Sequence, residues 1–259
     1  MPTGDAYAAN LFPAGTPKAA IRARVITQLE AATLENALLL DARNLYYSAW
    51  VSFMDALRGI RSNCSTWATV KLYYSTFYTL RAALALGRVC AFHVGSSSFV
   101  VKAIAGQHPV SCTDKGTHKT VINTFQREYP GHLLVSQKID LESALDWLMA
   151  KREAANYLRA RFNEPAFPEG FDFLISRGLR KTLETYINDL KWLYTFDPDH
   201  AIVAYPLRVL QLIGEQMLNA AIPLSLSVDE RSFLKSQASD KSGNLTALVG
   251  EMRRLGLLE

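Results

Sequence analysis

The sequence predicts a mostly α-helical protein, and three observations lead to this prediction. Apolar residues recur every three or four positions through two long segments before residue 87. The same spacing returns in several segments after residue 116, and the one strand-like stretch between them is short. Hydrophobic residues make up 49% of the 259 residues, which is typical of a folded domain with a sizeable core.

The N-terminal part is predicted to contain an arm and two long helices. Residues 1–17 are rich in glycine and proline and are expected to be irregular, and a helical pattern begins near Lys18. Apolar residues at helical spacing predict a long amphipathic helix over about 30–57. A break at 58–63 precedes a second long helix that ends near Leu86. The short connection favours an antiparallel pair.

Aromatic residues crowd this second helix. Their spacing indicates a face that packs in the core rather than a ligand site. The predicted core stripe is Trp67, Val70, Tyr74, Phe77, Leu80 and Leu84. Arg81 lies one helical turn beyond Phe77, so it needs a partner if it is buried.

The period then changes, and the segment from 89 to 105 is predicted to form a β-hairpin inserted between helices. Loop residues follow, and further helices are expected over about 117–129 and 140–162. Pro165, Pro168 and Gly170 mark the clearest boundary in the chain.

Beyond this boundary the sequence predicts a helical C-terminal extension, with helices at about 171–193, 199–220, 228–237 and 244–256. The resulting domain prediction has three parts. They are an N-terminal arm and first helix over 1–30, a helical bundle with the hairpin over 31–163, and the extension over 170–259.

Composition narrows the class of protein. The formal net charge is +4 and the charges are dispersed, which permits contact with nucleic acid without predicting it strongly. Cys64, Cys90 and Cys112 form no CxxC pair, which fits a reducing cytosol better than a disulfide framework or a zinc site. With neither a signal peptide nor an apolar run of about 18 residues, we expect a cytoplasmic protein that does not contact a membrane.

The second long helix resembles the HEPN superfamily of prokaryotic helical bundles. The likeness is carried by Tyr73-Tyr74, Phe77, Arg81 and Leu84, which match a Tyr-Tyr-x-x-Phe-x-x-x-Arg-x-x-Leu pattern. Two later segments are similar to other family patterns, and the resemblance covers roughly residues 32–162. These segments are Gly116-Thr-His-Lys-Thr-Val-Ile-Asn-Thr-Phe125 and Arg152-Glu-Ala-Ala-Asn-Tyr157.

The resemblance implies an RNA-directed protein. Many members are metal-independent ribonucleases of toxin–antitoxin, CRISPR and anti-phage systems, and they pair two copies of an Arg-x(4–6)-His motif in a dimer. In these ribonucleases the histidine moves the proton of the RNA 2′-hydroxyl, and the arginine stabilises charge on the phosphate. Others are inactive scaffolds. The chain departs from the family pattern in its hairpin, in Asn156 where aspartate is frequent, and in lacking the motif at the last helix of the bundle.

Two matches to Arg-x(4)-His occur elsewhere. Arg88 and His93 are the candidate catalytic pair, and Arg127 with His132 is the second match. The alternative is that these are ordinary polar residues of the hairpin and of a loop. No Arg-x(4)-His match lies in the helix where the family carries it.

The segment before the third predicted helix is a better candidate for a functional site than either Arg-x(4)-His pair, because it could bind phosphate. Lys115, His118 and Lys119 surround the predicted start of the third helix, where backbone N–H groups are available to phosphate and Thr117 is the expected cap. Arg81 and Arg152 are added as candidate RNA-binding residues. The alternative for both arginines is a buried ion pair with Asp55, Glu142 or Glu153.

Other chemistries lack their motifs. No GxGxxG or Walker loop, HExxH or metal-ligand cluster occurs in the sequence, so neither a metal nor a cofactor is predicted. Two functions remain. The first is an RNA-directed protein, with ribonuclease activity as its sharper form, and the second is a non-catalytic subunit that binds a protein partner or forms a homodimer.

Overall fold

The computed structural model describes residues 3–114, 116–157, 161–162, 164–168 and 170–259. In these residues the chain is mostly helical with small antiparallel sheets, which confirms the predicted class. The helices are α1 Gly4–Asn10, α2 Lys18–Ala23, α3 Gln28–Arg61, α4 Ser65–Leu86, α5 Thr117–Glu128, α6 Leu133–Ser136, α7 Ala144–Asn156, α8 Asp172–Arg177, α9 Leu179–Ile187, α10 Ala201–Asn219, α11 Val228–Gln237 and α12 Thr246–Arg254. The strands are β1 Val89–Val94, β2 Ser97–Lys102, β3 Val110–Ser111, β4 Lys138–Ile139, β5 Glu142–Ser143, β6 Ser239–Asp240 and β7 Gly243–Asn244.

Two compact units divide the chain, and each is built from two stretches of sequence. The first unit contains residues up to Leu45 together with Leu80–Pro130, and the second contains Tyr46–Thr79 together with Gly131–Glu259. The predicted domain limits at 30 and at 163–170 stay predictions. None of the helices formed by the described residues has the length and apolar character needed to cross a membrane.

The β1–β2 hairpin organises the first unit. It pairs Phe92 with Phe99, and β3 joins the sheet with Val110 opposite Val100. Helices α1 and α5 pack against β1, and the ring of Phe12 stacks on that of Phe92 at 5.9 Å between centroids. The nearly continuous run of β-branched and aromatic residues in β2 therefore lies in the core rather than alternating with solvent-facing residues.

Helix α10 is the most buried element of the second unit. Two fully buried tyrosines satisfy their hydroxyl groups there. Tyr46 donates to the carbonyl oxygen of Leu210 at 2.8 Å, and Tyr205 donates to that of Leu134 at 3.0 Å. Each hydroxyl donates to a backbone carbonyl, so neither buried donor is left without a hydrogen bond.

The structure corrects two predicted segments. Residues 4–10 are helical rather than irregular, because the Gly4 N–H donates to the Asp41 carboxylate at 2.7 Å and fixes the start of α1. The helix expected over 140–162 begins only at Ala144 and ends at Asn156. Asp140 and Leu141 adopt positive φ angles of 48° and 70°, and they form the turn of the β4–β5 hairpin instead.

Two further predictions were partly wrong. The helix expected over 171–193 is broken at Gly178, whose φ of 78° separates α8 from α9, and α9 ends at Ile187. Trp67 was assigned to the core stripe of α4, but half of its surface is exposed and its ring meets Phe162 edge-on at 6.2 Å. Four other members of the stripe are buried as predicted: Val70, Phe77, Leu80 and Leu84.

Candidate phosphate-binding site

A polar cavity of about 570 Å³ lies in the first unit, beside the turn of the β1–β2 hairpin. Helix α2, the β1–β2 turn, β3 and the loop before α5 supply its walls. The lining residues are Lys18, Arg22, Ser96, Ser97, Ser98, Ser111, Cys112, Thr113, Asp114 and Gly116. Two cations and five hydroxyl groups therefore surround one space.

Helix α2 presents the two cations. Lys18 and Arg22 are four residues apart, so they lie on the same face of the helix, while Ile21 is buried in the core. The chain after α2 is fixed to the loop after β2, because Ile26 donates its N–H to the Gln107 carbonyl at 2.9 Å. Among the described residues, neither cation is within ion-pair distance of a carboxylate, so both charges are available to a ligand.

The β1–β2 turn supplies hydroxyl groups. Ser96, Ser97 and Ser98 follow one another through the turn into β2 and all line the cavity. Ser98 is only 5% exposed, and its hydroxyl has no hydrogen-bond partner in the part of the chain that is described. His93 pairs with Ser98 across the hairpin, so the two side chains are neighbours on one face of the sheet.

The N-terminus of α5 closes another side of the cavity. Gly116 is its N-cap with φ at 85°, a conformation that strains any residue with a Cβ atom, and glycine has no side chain with which to cap the helix. Thr117, the predicted cap, is instead the first helical residue. Gly116 brings the N-terminal end of this 12-residue helix to the cavity, and the helix dipole favours negative charge at that end.

One carboxylate and one thiol also face the cavity. Asp114 accepts a hydrogen bond from the Asn123 side-chain amide at 2.6 Å. Burial raises the pKa of the Cys112 thiol, and the nearby Arg127 guanidinium opposes this rise only in part. Cys112 is therefore a neutral thiol near pH 7, and Asp114 is the one acidic group among the lining residues.

None of the predicted RNA-binding residues in the described part of the chain is among the residues that line the cavity. Lys119 is exposed in the first turn of α5, just beyond the lining residue Gly116, and His118 is half-buried beside it. Lys115 lies outside the described residues. Arg81 lies elsewhere in the same unit, where its guanidinium is 3.7 Å from the Asp5 carboxylate.

The candidate catalytic pair is separated. Arg88 has a positive φ of 61° in the turn between α4 and β1, and it forms an ion pair with Glu35 at 2.7 Å. His93 lies four residues beyond Val89 along an extended strand, which is about 13 Å. The geometry therefore places His93 beside the cavity and directs Arg88 to a carboxylate instead.

The second Arg-x(4)-His match shows no shared site. Arg127 belongs to the last turn of α5, and its Nε is 3.7 Å from the Glu128 carboxylate. His132 belongs to the second unit and caps α6, where its Nδ1 accepts the N–H of Leu134 at 3.2 Å. Burial lowers the pKa of His132, so it is neutral at pH 7. Its role in the second unit is that of a helix cap.

Arg152 is a buried residue of the second unit. It is 8% exposed, and its guanidinium carbon lies 5.3, 5.9 and 5.4 Å from the ring centres of Tyr73, Tyr74 and Tyr157. Its distance from Glu153 is 3.9 Å, at the limit of an ion pair. Arg152 is therefore held mainly by three aromatic rings, which is the geometry of cation–π contacts.

Sequence reasoning missed Lys18 and Arg22. Their four-residue spacing is visible in the sequence, but many exposed helices carry such pairs. Ser96, Ser97 and Ser98 resemble any polar turn. Only the tertiary structure shows that these segments meet α5, because more than 70 residues separate α2 from the hairpin turn.

Comparisons with family models, curated proteins and solved structures found no match to the chain. Within the described ranges, no group of three or more His, Cys, Asp or Glu side chains is arranged to hold a metal ion. The cavity combines two unpaired cations, a helix N-terminus and a set of hydroxyl donors. These are the groups by which proteins recognise phosphate and similar oxyanions.

Proposed function

We propose that the chain is an RNA-directed protein that holds the phosphate backbone of RNA in the cavity of its first unit. The observation that carries the proposal is that Lys18 and Arg22 line the same cavity as Gly116, the N-cap of α5. Phosphate contacts from cations and helix N-termini are the main source of affinity for nucleic acid. The HEPN-like patterns in α4 and α5 favour RNA as the nucleic acid, and we propose a HEPN-like origin for these helices.

The sharper form of this proposal is a metal-independent ribonuclease, of the kind found in toxin–antitoxin and anti-phage systems. His93 supports it, because it is the cross-strand neighbour of Ser98 and so lies next to the phosphate cavity. An imidazole in this position has the chemistry to remove the proton of a 2′-hydroxyl. In this scheme Arg22, rather than Arg88, stabilises the charge that develops on the phosphate.

The second candidate function is a non-catalytic subunit that binds RNA or a protein partner. One observation favours it, which is the ion pair of Arg88 with Glu35. The arginine of the predicted motif is thereby engaged in a structural contact and is separated from His93 along β1. In this case the cavity still binds phosphate, but no bond is cleaved.

RNA binding is tested by fluorescence anisotropy with an internally labelled single-stranded RNA. The test variant is Lys18→Gln/Arg22→Gln, and the matched control is Lys181→Gln/Lys235→Gln, which removes two exposed charges from the second unit. If each exposed phosphate contact contributes about 0.7 kcal/mol, the test variant binds about tenfold more weakly. The slope of log K against log salt also falls by about 1.4. Equal loss in both variants would show only a non-specific charge effect.

Cleavage is tested with the same RNA in EDTA, using His93→Ala, His118→Ala and His132→Ala side by side. The ribonuclease proposal expects cleavage that persists in EDTA and is lost in His93→Ala alone. Loss in His118→Ala instead would move the proton-transfer role to the first turn of α5. RNA binding without cleavage in any protein would support the non-catalytic subunit.

A further inference from the structure

We propose that the cavity takes the terminal phosphate monoester of an RNA strand rather than a phosphodiester within it. This inference rests on the proposed function and names the part of the RNA that the site recognises. It is drawn from the number of hydroxyl groups around the cavity, from its charge and from the position of Ser98 in its wall.

The donors exceed what a phosphodiester can use. A phosphodiester in the middle of a strand has two free oxygens, whereas a terminal monoester has three and is attached through a single bridging oxygen. Five hydroxyl-bearing residues line the cavity, and the N-cap of α5, Gly116, lies at its wall. The five are Ser96, Ser97, Ser98, Ser111 and Thr113. Such a density of donors matches the larger set of acceptors.

The charge of the cavity also favours the monoester. Lys18 and Arg22 supply two positive charges, the α5 N-terminus adds about half a charge, and Asp114 removes one. A phosphodiester carries one negative charge, whereas a phosphate monoester carries about 1.5 to 2 near pH 7. The cavity has a net positive charge even with Asp114 counted, so the doubly charged group gains more from it than the singly charged one.

Ser98 adds a well-placed donor to the wall of the cavity. The residue lines the cavity and is only 5% exposed as a whole, and none of the described residues accepts a hydrogen bond from its hydroxyl. A hydroxyl at the wall is able to donate to a ligand oxygen. The backbone of Ser98 is held in place, because Cys112 donates its N–H to the Ser98 carbonyl at 2.9 Å.

The test compares three RNAs of identical sequence and internal label, with a 5′-phosphate, with a 3′-phosphate or with hydroxyl groups at both ends. We expect one of the phosphorylated RNAs to bind the full-length protein at least tenfold more tightly than the unphosphorylated one. The choice between the 5′ and 3′ forms identifies the end that is recognised. A mononucleotide with the preferred phosphate is expected to compete for the site.

Two variants and their controls locate the site. Ser98→Ala and Lys18→Gln/Arg22→Gln should each reduce the preference for the phosphorylated end to less than threefold. Ser75→Ala, which alters a buried hydroxyl of the second unit that also has no described partner, should leave it unchanged. The charge variant lies on an exposed helix face, so it tests the site even if Ser98→Ala perturbs the sheet.

The possible failures are distinct. If all three RNAs bind equally, the terminal-phosphate inference is wrong while the proposed RNA binding stands. If none of the three RNAs binds, the proposed RNA binding is itself wrong. If the preference exists but survives in both cavity variants, the terminal phosphate is recognised elsewhere and the assignment to this cavity is overturned.

Discussion

Replacing Gly214 with alanine should destabilise the second unit, although alanine is the better helix former. Gly214 lies inside α10, where a Cβ atom would come within 2.2 Å of the Tyr46 hydroxyl oxygen and 2.9 Å of Leu255 Cδ2. The leucine methyl group is the end of a flexible side chain and can move. The Tyr46 hydroxyl cannot move freely, because its ring is fully buried and it donates to the Leu210 carbonyl.

The expected magnitude follows from two opposing effects. Alanine in a helix interior is favoured over glycine by about 1 kcal/mol. Forcing an extra carbon into a packed core costs about 3 kcal/mol when a buried ring has to shift. The net loss is therefore about 2 kcal/mol of unfolding free energy.

A double-mutant cycle isolates the contact. Tyr46→Phe removes the hydroxyl, and the nearest remaining ring atom of residue 46 is then Cζ, 3.1 Å from the new Cβ. This single change costs about 1 kcal/mol, because it leaves the Leu210 carbonyl without its donor. We expect Gly214→Ala/Tyr46→Phe to be less destabilised than the sum of the two single variants, by about 1 kcal/mol or more.

Urea denaturation followed by far-UV circular dichroism measures these values. The matched control is Gly250→Ala in α12, where a Cβ atom meets nothing within 4 Å. That variant should gain about 0.5 to 1 kcal/mol. If Gly214→Ala also gains stability, or if the cycle is additive, the close approach of α10 to Tyr46 is not a tight contact and the reasoning is refuted.

Three further predictions concern other residues. Burial raises the pKa of Glu251, but hydrogen bonds from Arg254 and Gln211 outweigh it and leave the pKa below its ordinary value of 4.5. The ionised carboxylate therefore stabilises the folded protein above pH 4.5, and this stabilisation is lost as the pH falls through the pKa of the folded state. Between pH 7 and about pH 3, the urea midpoint of Glu251→Gln should therefore drop less than that of the unmodified protein. Arg152→Lys should lower the unfolding free energy by about 1 kcal/mol in urea denaturation, since an ammonium group lacks the planar face with which the guanidinium stacks on the tyrosine rings. If RNA affinity also falls more than twofold after correction for the unfolded fraction, the predicted RNA-binding role of Arg152 is supported instead. Gly116→Ala should cost about 1 to 2 kcal/mol at its positive φ and weaken RNA binding in anisotropy, whereas an unchanged affinity would separate the α5 N-terminus from the site.

Local patterns predicted the long elements well. Helix α4 begins at Ser65 and ends at Leu86, and α11 spans Val228–Gln237, where the sequence expected them, because periodicity and capping residues act within a few positions. The β1–β2 hairpin was also recognised from its β-branched residues and its glycine turn. Helix α1 was missed because its start depends on the distant carboxylate of Asp41.

The candidate site was predictable only in part. The start of α5 was predicted because a helix N-terminus has a local signature, and the binding role of His118 and Lys119 in its first turn stays a prediction. Lys18, Arg22 and Ser98 were not, since their meeting depends on how α2 packs beside the hairpin. The separation of Arg88 from His93 likewise follows from strand geometry, which a spacing motif does not contain.

The walls of the cavity come from three parts of the chain, at residues 18–22, at 96–98 and at 111–114 with Gly116. None of these parts holds the cations, the hydroxyl donors and the helix N-terminus together, so the site exists only after long-range contacts have formed. Occupancy is then linked to the folding of the first unit, and at a ligand concentration 100 times its Kd the folded form gains about 2.7 kcal/mol. A peptide copied from the hairpin or from α5 alone should therefore have none of the phosphate affinity of the intact chain. Phosphate binding would then measure whether the first unit is folded.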